Sequence, residues 1–358
     1  MNRGSDPVSG VLGSVLPLVL VCVLAASMGC ASRKLSLEEL PEQPIAILYW
    51  EPEDARRRAE IMEKAESNES RSRNAREGVA RLEDLGTLVG IEDRSMQKDL
   101  SRYPGYLALV DPRTGNLVRV AAARPGARPL AWSSDGKRLM FVGGGRPRVR
   151  QLYEYDRTTR EVRRLTSGKR MHPTGTYGPE GRLAYVSVNA KKRRAGISIQ
   201  VTAPHGARPE VISNGVGTDR IAWAREEGPL VYVKYMKQTG KRKPVPYLVA
   251  RDPAPGGEER VLGPGKDPVM TADGSWVVYS AEEGDQGVLR RVRPSGQGRS
   301  RLGKVERDSW APAVSPDGAY VAYVGREPGL LDRLFVRRFD GEGDRVLIAD
   351  GAVANPTW

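Results

Sequence analysis

The sequence predicts an all-β protein: a six-bladed β-propeller of four-stranded blades, with a helical insertion near the N-terminus. Three observations predict it: a repeat of near-constant length, an aromatic at a fixed place in each repeat, and a chain that stops one strand into a further repeat. Acidic-Gly turns mark the repeat at Asp135-Gly136, Glu180-Gly181, Glu227-Gly228, Asp273-Gly274 and Asp317-Gly318, with glycines 45, 47, 46 and 44 residues apart. Four short strands at that period are the spacing of a propeller blade. Among the 358 residues, 40 Gly and 26 Pro supply turns, and 13 Tyr against 3 Phe favours many short strands over a few long helices.

The strand after each turn reads RLMFV (138–142), RLAYV (182–186), PLVYV (229–233), WVVY (276–279) and YVAYV (320–324). Each carries Tyr or Phe two residues after an aliphatic, the alternation of a strand with a buried face. Third strands follow at 151–155, 197–201, 247–250 and 334–337, and fourth strands at 162–165, 210–212, 260–262 and 345–348. Gly, Pro and Asp clusters between them, such as Asp340-Gly341, read as hairpin turns.

Both ends belong to one blade. Trp132 lies four residues before Gly136, and the same register puts Trp358 in the first strand of a sixth unit, 354–358. The remaining strands must come from the N-terminal side: 45–50 (IAILYW) as the second, 106–110 (YLALV) as the third and 117–120 as the fourth. A blade built from both ends seals the ring and leaves no exposed edge. Residues 51–102 are then an insertion between its second and third strands. Pro52 suits a first helical position, Glu51, Glu53 and Asp54 suit the first turn, and Ala55, Ala59, Met62 and Ala65 recur at helical spacing. A second helical stretch is expected at 75–85.

The first thirty residues read as an export signal. Arg3 precedes an apolar run at 11–27, whose 17 residues are short for a bilayer span and sufficient for a signal core. The run ends in Ala25, Ala26 and Ser27, followed by Met28, Gly29 and Cys30. This resembles the lipobox of bacterial lipoproteins, with Gly29 as the small residue before the cysteine and Ser27 where an aliphatic is usual. The resemblance implies lipidation of Cys30, a signal peptide at 1–29, a linker at 30–43 and a propeller at 44–358. The only other cysteine, Cys22, lies inside the signal, so a mature body without thiol or disulfide chemistry is expected.

The repeat units are similar to the WD-like repeats of the TolB family of periplasmic propellers, in which proline, a small residue and tryptophan precede Ser-Pro-Asp-Gly and an aliphatic strand. Pro312-Ala313-Val314-Ser315-Pro316-Asp317-Gly318 matches best, then Ala131-Trp132-Ser133-Ser134-Asp135-Gly136, with Pro356-Thr357-Trp358 as the truncated copy. The units at His172 and Trp223 lack Ser-Pro-Asp. The resemblance covers about 104–358 and implies a fold and a periplasmic location rather than a chemistry, since the repeat serves binding proteins and peptidase-linked propellers alike. The family's amino-terminal mixed α/β domain is not evident.

Catalytic signals are sparse. His172 and His205 are the only histidines, His205 in a turn and His172 opening an inner strand, and no Gly-x-Ser-x-Gly elbow occurs. Gly143-Gly144-Gly145 lacks the Lys-Ser/Thr of a phosphate loop. With nothing after Trp358, an appended hydrolase domain is not expected. Asp219, Asp267 and Asn355 fall near the starts of three inner strands, where such oxygens could converge on a divalent cation. They ground the alternative reading, a lactonase- or sugar-lyase-type enzyme with a channel metal. Pairing with Arg220 and Lys266 or hydrogen bonding between blades is the plainer role, so no cofactor is expected.

Lys and Arg number 57 against 44 Asp and Glu, a formal net charge of +13 that favours anionic partners. Three successive loops between second and third strands concentrate it: Arg146, Arg148 and Arg150; Lys191, Lys192, Arg193 and Arg194; and Lys241, Arg242 and Lys243. The next such loop, 282–285, is acidic, and the helical insertion leaves from the same position of the closing blade. One face should therefore carry a basic arc, an acidic sector and a helical projection. Nucleic acid suits the charge but not an exported location. The expectation is a monomeric, non-catalytic binding scaffold on the periplasmic side of the envelope. It would be held to the outer rather than the inner membrane by its lipid, and its arc would meet an envelope protein or another anionic partner.

Overall fold

A computed structural model describes residues 35–72, 102–143, 150–189, 196–202, 209–214, 218, 220–226, 228–239, 244–254, 256–304, 306–327 and 330–358, and of 65–72 the backbone only. Six four-stranded antiparallel sheets form the blades. Five are contiguous in sequence, at 128–164, 175–214, 221–264, 266–301 and 308–348, and are numbered one to five. The sixth takes Ala352–Thr357 innermost, then Ile45–Trp50, Tyr106–Val110 and Leu117–Arg119. Its register sets Val353 opposite Tyr49 and Ala354 opposite Leu48. Each inner strand packs on the next, and the sixth on the first, so the ring is closed by both ends of the propeller.

The repeated aromatic explains why the blades stack. Tyr232, Tyr279 and Tyr323 are at most 1% exposed, and Phe141 and Tyr185 are buried with them. Each packs against the preceding blade of the ring, where a ring side chain buries more apolar surface than any aliphatic could. On the outermost strands the alternation turns outward, leaving Val118, Val211, Val261 and Val346 exposed. Blade four completes its sheet with Gln286–Val292 and Ser300–Arg301, which no sequence pattern singled out.

The turns are held by one device. Asp135 accepts hydrogen bonds from Ser133 Oγ and Lys137 N, Asp317 from Ser315 Oγ and Ala319 N, and Asp273 from Thr271 Oγ1 and Ser275 N. The glycine that follows has φ of +65° at Gly136 and +72° at Gly318, a conformation that penalises any Cβ. Arginine then covers the tryptophans: Arg157 over Trp132, Arg182 over Trp223, Arg291 and Arg293 over Trp276, Arg326 over Trp310 and Arg58 over Trp50.

Residues 35–43, within the expected linker, lie against blades five and six. Leu35 and Leu40 are buried in the cluster that holds Ile348 and Trp358. Arg345 Nη1 donates to Leu35 O (3.2 Å), Arg113 Nε to Leu40 O (2.7 Å) and Trp358 Nε1 to Gln43 O (2.8 Å). The insertion begins as a helix, Pro52–Ser72, docked by Ala55 and by Arg58, whose Nη1 donates to Tyr103 O at 3.0 Å. The helical stretch expected at 75–85 lies outside the described residues. No described helix is long and apolar enough to cross a membrane.

Candidate functional site

Strand direction assigns two faces to the ring. Inner strands start, and second strands hand over to third, on what we call the loop face; the acidic-Gly turns lie on the opposite, turn face. Between them Arg220, just before the inner strand Ile221–Trp223 of blade three, crosses the axis. Its Nη2 donates to Pro356 O, 2.8 Å away on the opposite blade six. The side chain therefore bars the channel between the two faces.

On the loop face, Arg150 stands at the root of the first basic loop, half-buried and without a side-chain hydrogen bond or ion pair among the described residues. Burial lowers its pKa, as expected for a cation removed from water. Arg128 Nη2 donates to Pro173 O, and Arg170 Nη1 to Ser187 Oγ, so guanidinium groups cluster where blades one and two meet. A groove of about 680 Å³ opens on the same face between blades three, four and five. Pro244, Pro246, Pro264 and Trp310 give it an apolar wall, with Lys266 and Glu282 at its edge. Gln238 and Pro244, which flank the third basic loop, both line it.

The remaining expected site residues divide sharply. Arg146, Arg148, Lys191, Lys192, Arg193, Arg194, Lys241, Arg242, Lys243, Asp219 and Cys30 lie outside the described residues. Asp267 and Asn355 are described, and both occupy bulges of inner strands with φ of +49° and +51°; Ala311 repeats the bulge between them at +48°. Asp267 Oδ2 accepts from Ser280 Oγ at 2.9 Å, and the same hydroxyl accepts from Ala311 N at 2.9 Å. These two contacts tie blade four to blade five. No group of three or more metal-ligating side chains occurs among the described residues.

Several other buried polar groups join strands and blades. Glu154, 2% exposed, accepts from Tyr177 Oη and Arg163 Nε, each at 2.6 Å, the tyrosine coming from the next blade. Burial and that carboxylate raise the Tyr177 pKa far above the ordinary tyrosine value. Tyr323 and Arg337 both hydrogen-bond Asp344, and Arg307 joins them. His172 is buried against Tyr185, its ring edge-on at 5.1 Å, with Nδ1 3.3 Å from Val186 O. It is a packed residue of blade two, not a channel ligand.

No protein-family model matches the sequence, and no curated protein matches it. Solved structures do. TolB from Acinetobacter baumannii superposes with a TM-score of 0.57 at 18% identity, over 71% of this chain and 62% of that one. A putative TolB from Agrobacterium tumefaciens gives 0.55 at 20% identity, over 68% of this chain and 89% of that one. The fold is that of a TolB-like propeller. Hydrazine synthase from Kuenenia stuttgartiensis also superposes, at 0.57 and 13% identity over 89% of this chain and 47% of that one. A TolB-like propeller can thus sit in proteins of different function, and likeness at these identities speaks to fold alone. This TolB-like propeller spans about three fifths of the Acinetobacter protein's length.

Proposed function

We propose that the chain is a non-catalytic binding scaffold on the periplasmic side of the bacterial envelope, anchored through Cys30, whose loop face captures an acidic envelope protein. The observation that carries the reading is the position of the apolar groove at the root of the third basic loop. A partner placing an apolar side chain against Trp310 would bring its acidic rim under the arc. Trp and Arg are the residues enriched at protein interfaces, and a ring of basic loops raises the encounter rate of a negative surface. The exported location rests on the signal-like segment before Cys30 and on the resemblance to periplasmic propellers.

The test neutralises Lys191, Lys192, Arg193, Arg194, Lys241, Arg242 and Lys243 to Gln in the full-length protein. Partners are then captured by cross-linking in intact envelopes, at low and at high salt. The variant should fold as before and recover its partners poorly, with the smaller difference at high salt, where screening already weakens the arc. Equal recovery of the same partners at both salt levels would show that the arc is only a solvated surface.

A further inference from the structure

Below Arg220 the channel widens into a chamber open to the turn face. About 80 Å³ of it is accessible, and its lining includes Arg220 and Arg225 and no Asp or Glu side chain. A water needs about 10–15 Å³ of such space, so the chamber suits a ligand of a few heavy atoms. Arg225 stands two residues beyond the inner strand Ile221–Trp223, and its backbone N donates to Ala272 O of blade four at 3.2 Å. Its guanidinium makes no hydrogen bond or ion pair among the described residues. Burial lowers its pKa, and the one opposing influence is the charge of Asp135.

Most other polar groups of the chamber are already engaged. Thr176 donates to Tyr177 O, Tyr177 to Glu154, and Ser315 to Asp317. The indoles of Trp132, Trp223 and Trp358 donate to the carbonyls of Thr357, Gly228 and Gln43. The turn carboxylates near the mouth, Asp135, Asp273 and Asp317, are folded back on their own turns by Ser133, Thr271 and Ser315. What remains is a half-buried fork of donors facing a small chamber whose lining holds no Asp or Glu. A removed-from-water cation is costly until an anion compensates it, and a guanidinium meets a carboxylate or phosphate with two parallel hydrogen bonds.

We propose that this chamber binds a small oxyanion, inorganic phosphate or a short carboxylate, on the guanidinium of Arg225, with Arg220 supplying a second positive charge at its inner wall. The site is on the face opposite the basic arc, so it stands or falls independently of the partner-binding reading. Arg225 supplies the fork; Arg220, held on Pro356, supplies field and closes the chamber toward the loop face.

The experiment titrates the full chain with inorganic phosphate and, separately, with succinate, by calorimetry at constant ionic strength against chloride. Saturable binding of either is expected, and which one binds identifies the source of the oxyanion. Arg225→Gln should weaken it at least about tenfold with unchanged or raised thermal stability, since a half-buried cation without a hydrogen bond or ion pair among the described residues has been removed. Arg225→Lys keeps the charge without the fork and should fall between the two. The loop variant neutralised at Lys191, Lys192, Arg193, Arg194, Lys241, Arg242 and Lys243 should bind like the parent. Absence of saturable binding by both anions, or binding in Arg225→Gln equal to the parent, overturns the proposal. Loss in the loop variant with retention in Arg225→Gln would assign the anion to the arc and overturn it equally.

Discussion

The indole of Trp132 donates a hydrogen bond to the carbonyl of Thr357, 3.2 Å away across the seam between the first and the closing blade. Two residues 225 apart in the sequence thereby meet at the seam beside the closing blade. Trp358 continues the seam: its own indole bonds Gln43 O, and its ring lies 6.5 Å from that of Tyr320 on blade five. The last strand thus touches both neighbouring blades and the segment before Ile45.

Deleting 354–358 should therefore damage the whole propeller rather than fray one end. It exposes the inner edge of the closing blade's second strand and uncovers the flanks of blades one and five. In scanning calorimetry the truncated protein should lose its single cooperative transition or melt at markedly lower temperature. A truncated protein melting like the parent would mean that the ring is held without its closing strand.

Asp344 is a hinge of charge in blade five. It accepts from Tyr323 and Arg337, and Arg337 is 4% exposed. Asp344→Ala would leave that buried guanidinium without its carboxylate, at a cost of about 3–5 kcal/mol. Tyr323→Phe removes only one hydroxyl and should cost about 1–2 kcal/mol. Urea denaturation of the two variants would separate these values, and equal losses would contradict the assignment of Asp344 as the common acceptor.

The fold was legible because its determinants are local and repeated. The Ser-x-Asp-Gly turn, closed by its own side chains, and the tyrosine two residues after an aliphatic recur at blade spacing. The register that placed Trp358 in an unfinished blade followed from Trp132 and Gly136 alone. The chamber was not legible for the opposite reason. Arg225 carries no motif, and its significance comes from a guanidinium without hydrogen bond or ion pair among the described residues, in a chamber to which Ala272, Thr357 and Ser315 are brought by separate blades. Arg220 was read as a local neighbour of Asp219, whereas its side chain reaches 136 residues along the chain to Pro356. Leu35 and Leu40 looked like linker because two leucines among polar residues show no period; their burial depends on blades five and six.

Gly178 approaches the indole of Trp223 so closely that a Cβ there would lie 2.1 Å from Cε3. Its φ of −129° is open to any residue, so the constraint is steric and comes from the neighbouring blade. Gly178→Ala must displace Trp223 and the Arg182 stacked on it, at about 1–3 kcal/mol. The measurement is the urea midpoint, with the Trp223 environment followed by fluorescence. No loss of stability would mean that the two blades are less tightly apposed than this contact requires.

Export and anchoring are tested at Cys30. Residues 1–29 should be absent from the mature protein, and labelled palmitate should be incorporated by the parent and not by Cys30→Ala. Incorporation that survives the substitution would remove the lipid anchor from the proposed function.

His172 gives the propeller a defined sensitivity to acid. Burial lowers its pKa to about 4, the positive charges of Arg170 and Arg164 push the same way, and the hydrogen bond to Val186 O opposes them. Tyr185 packs on the ring and brings no charge. An unfolded histidine titrates near about 6.5, so between the two values the unfolded chain binds a proton that the folded protein excludes. Stability from this residue is therefore fully present above about pH 6.5 and is lost as pH falls toward 4, with a slope of up to about 1.4 kcal/mol per pH unit. His172→Asn keeps a donor for Val186 O and cannot titrate. It should lose some packing at pH 7, yet its stability should decline less steeply than the parent's between pH 6.5 and 4.5, where the buried imidazole alone distinguishes the two proteins. Parallel stability profiles for parent and variant over that interval would mean that His172 is protonated in the folded ring as readily as in the unfolded chain.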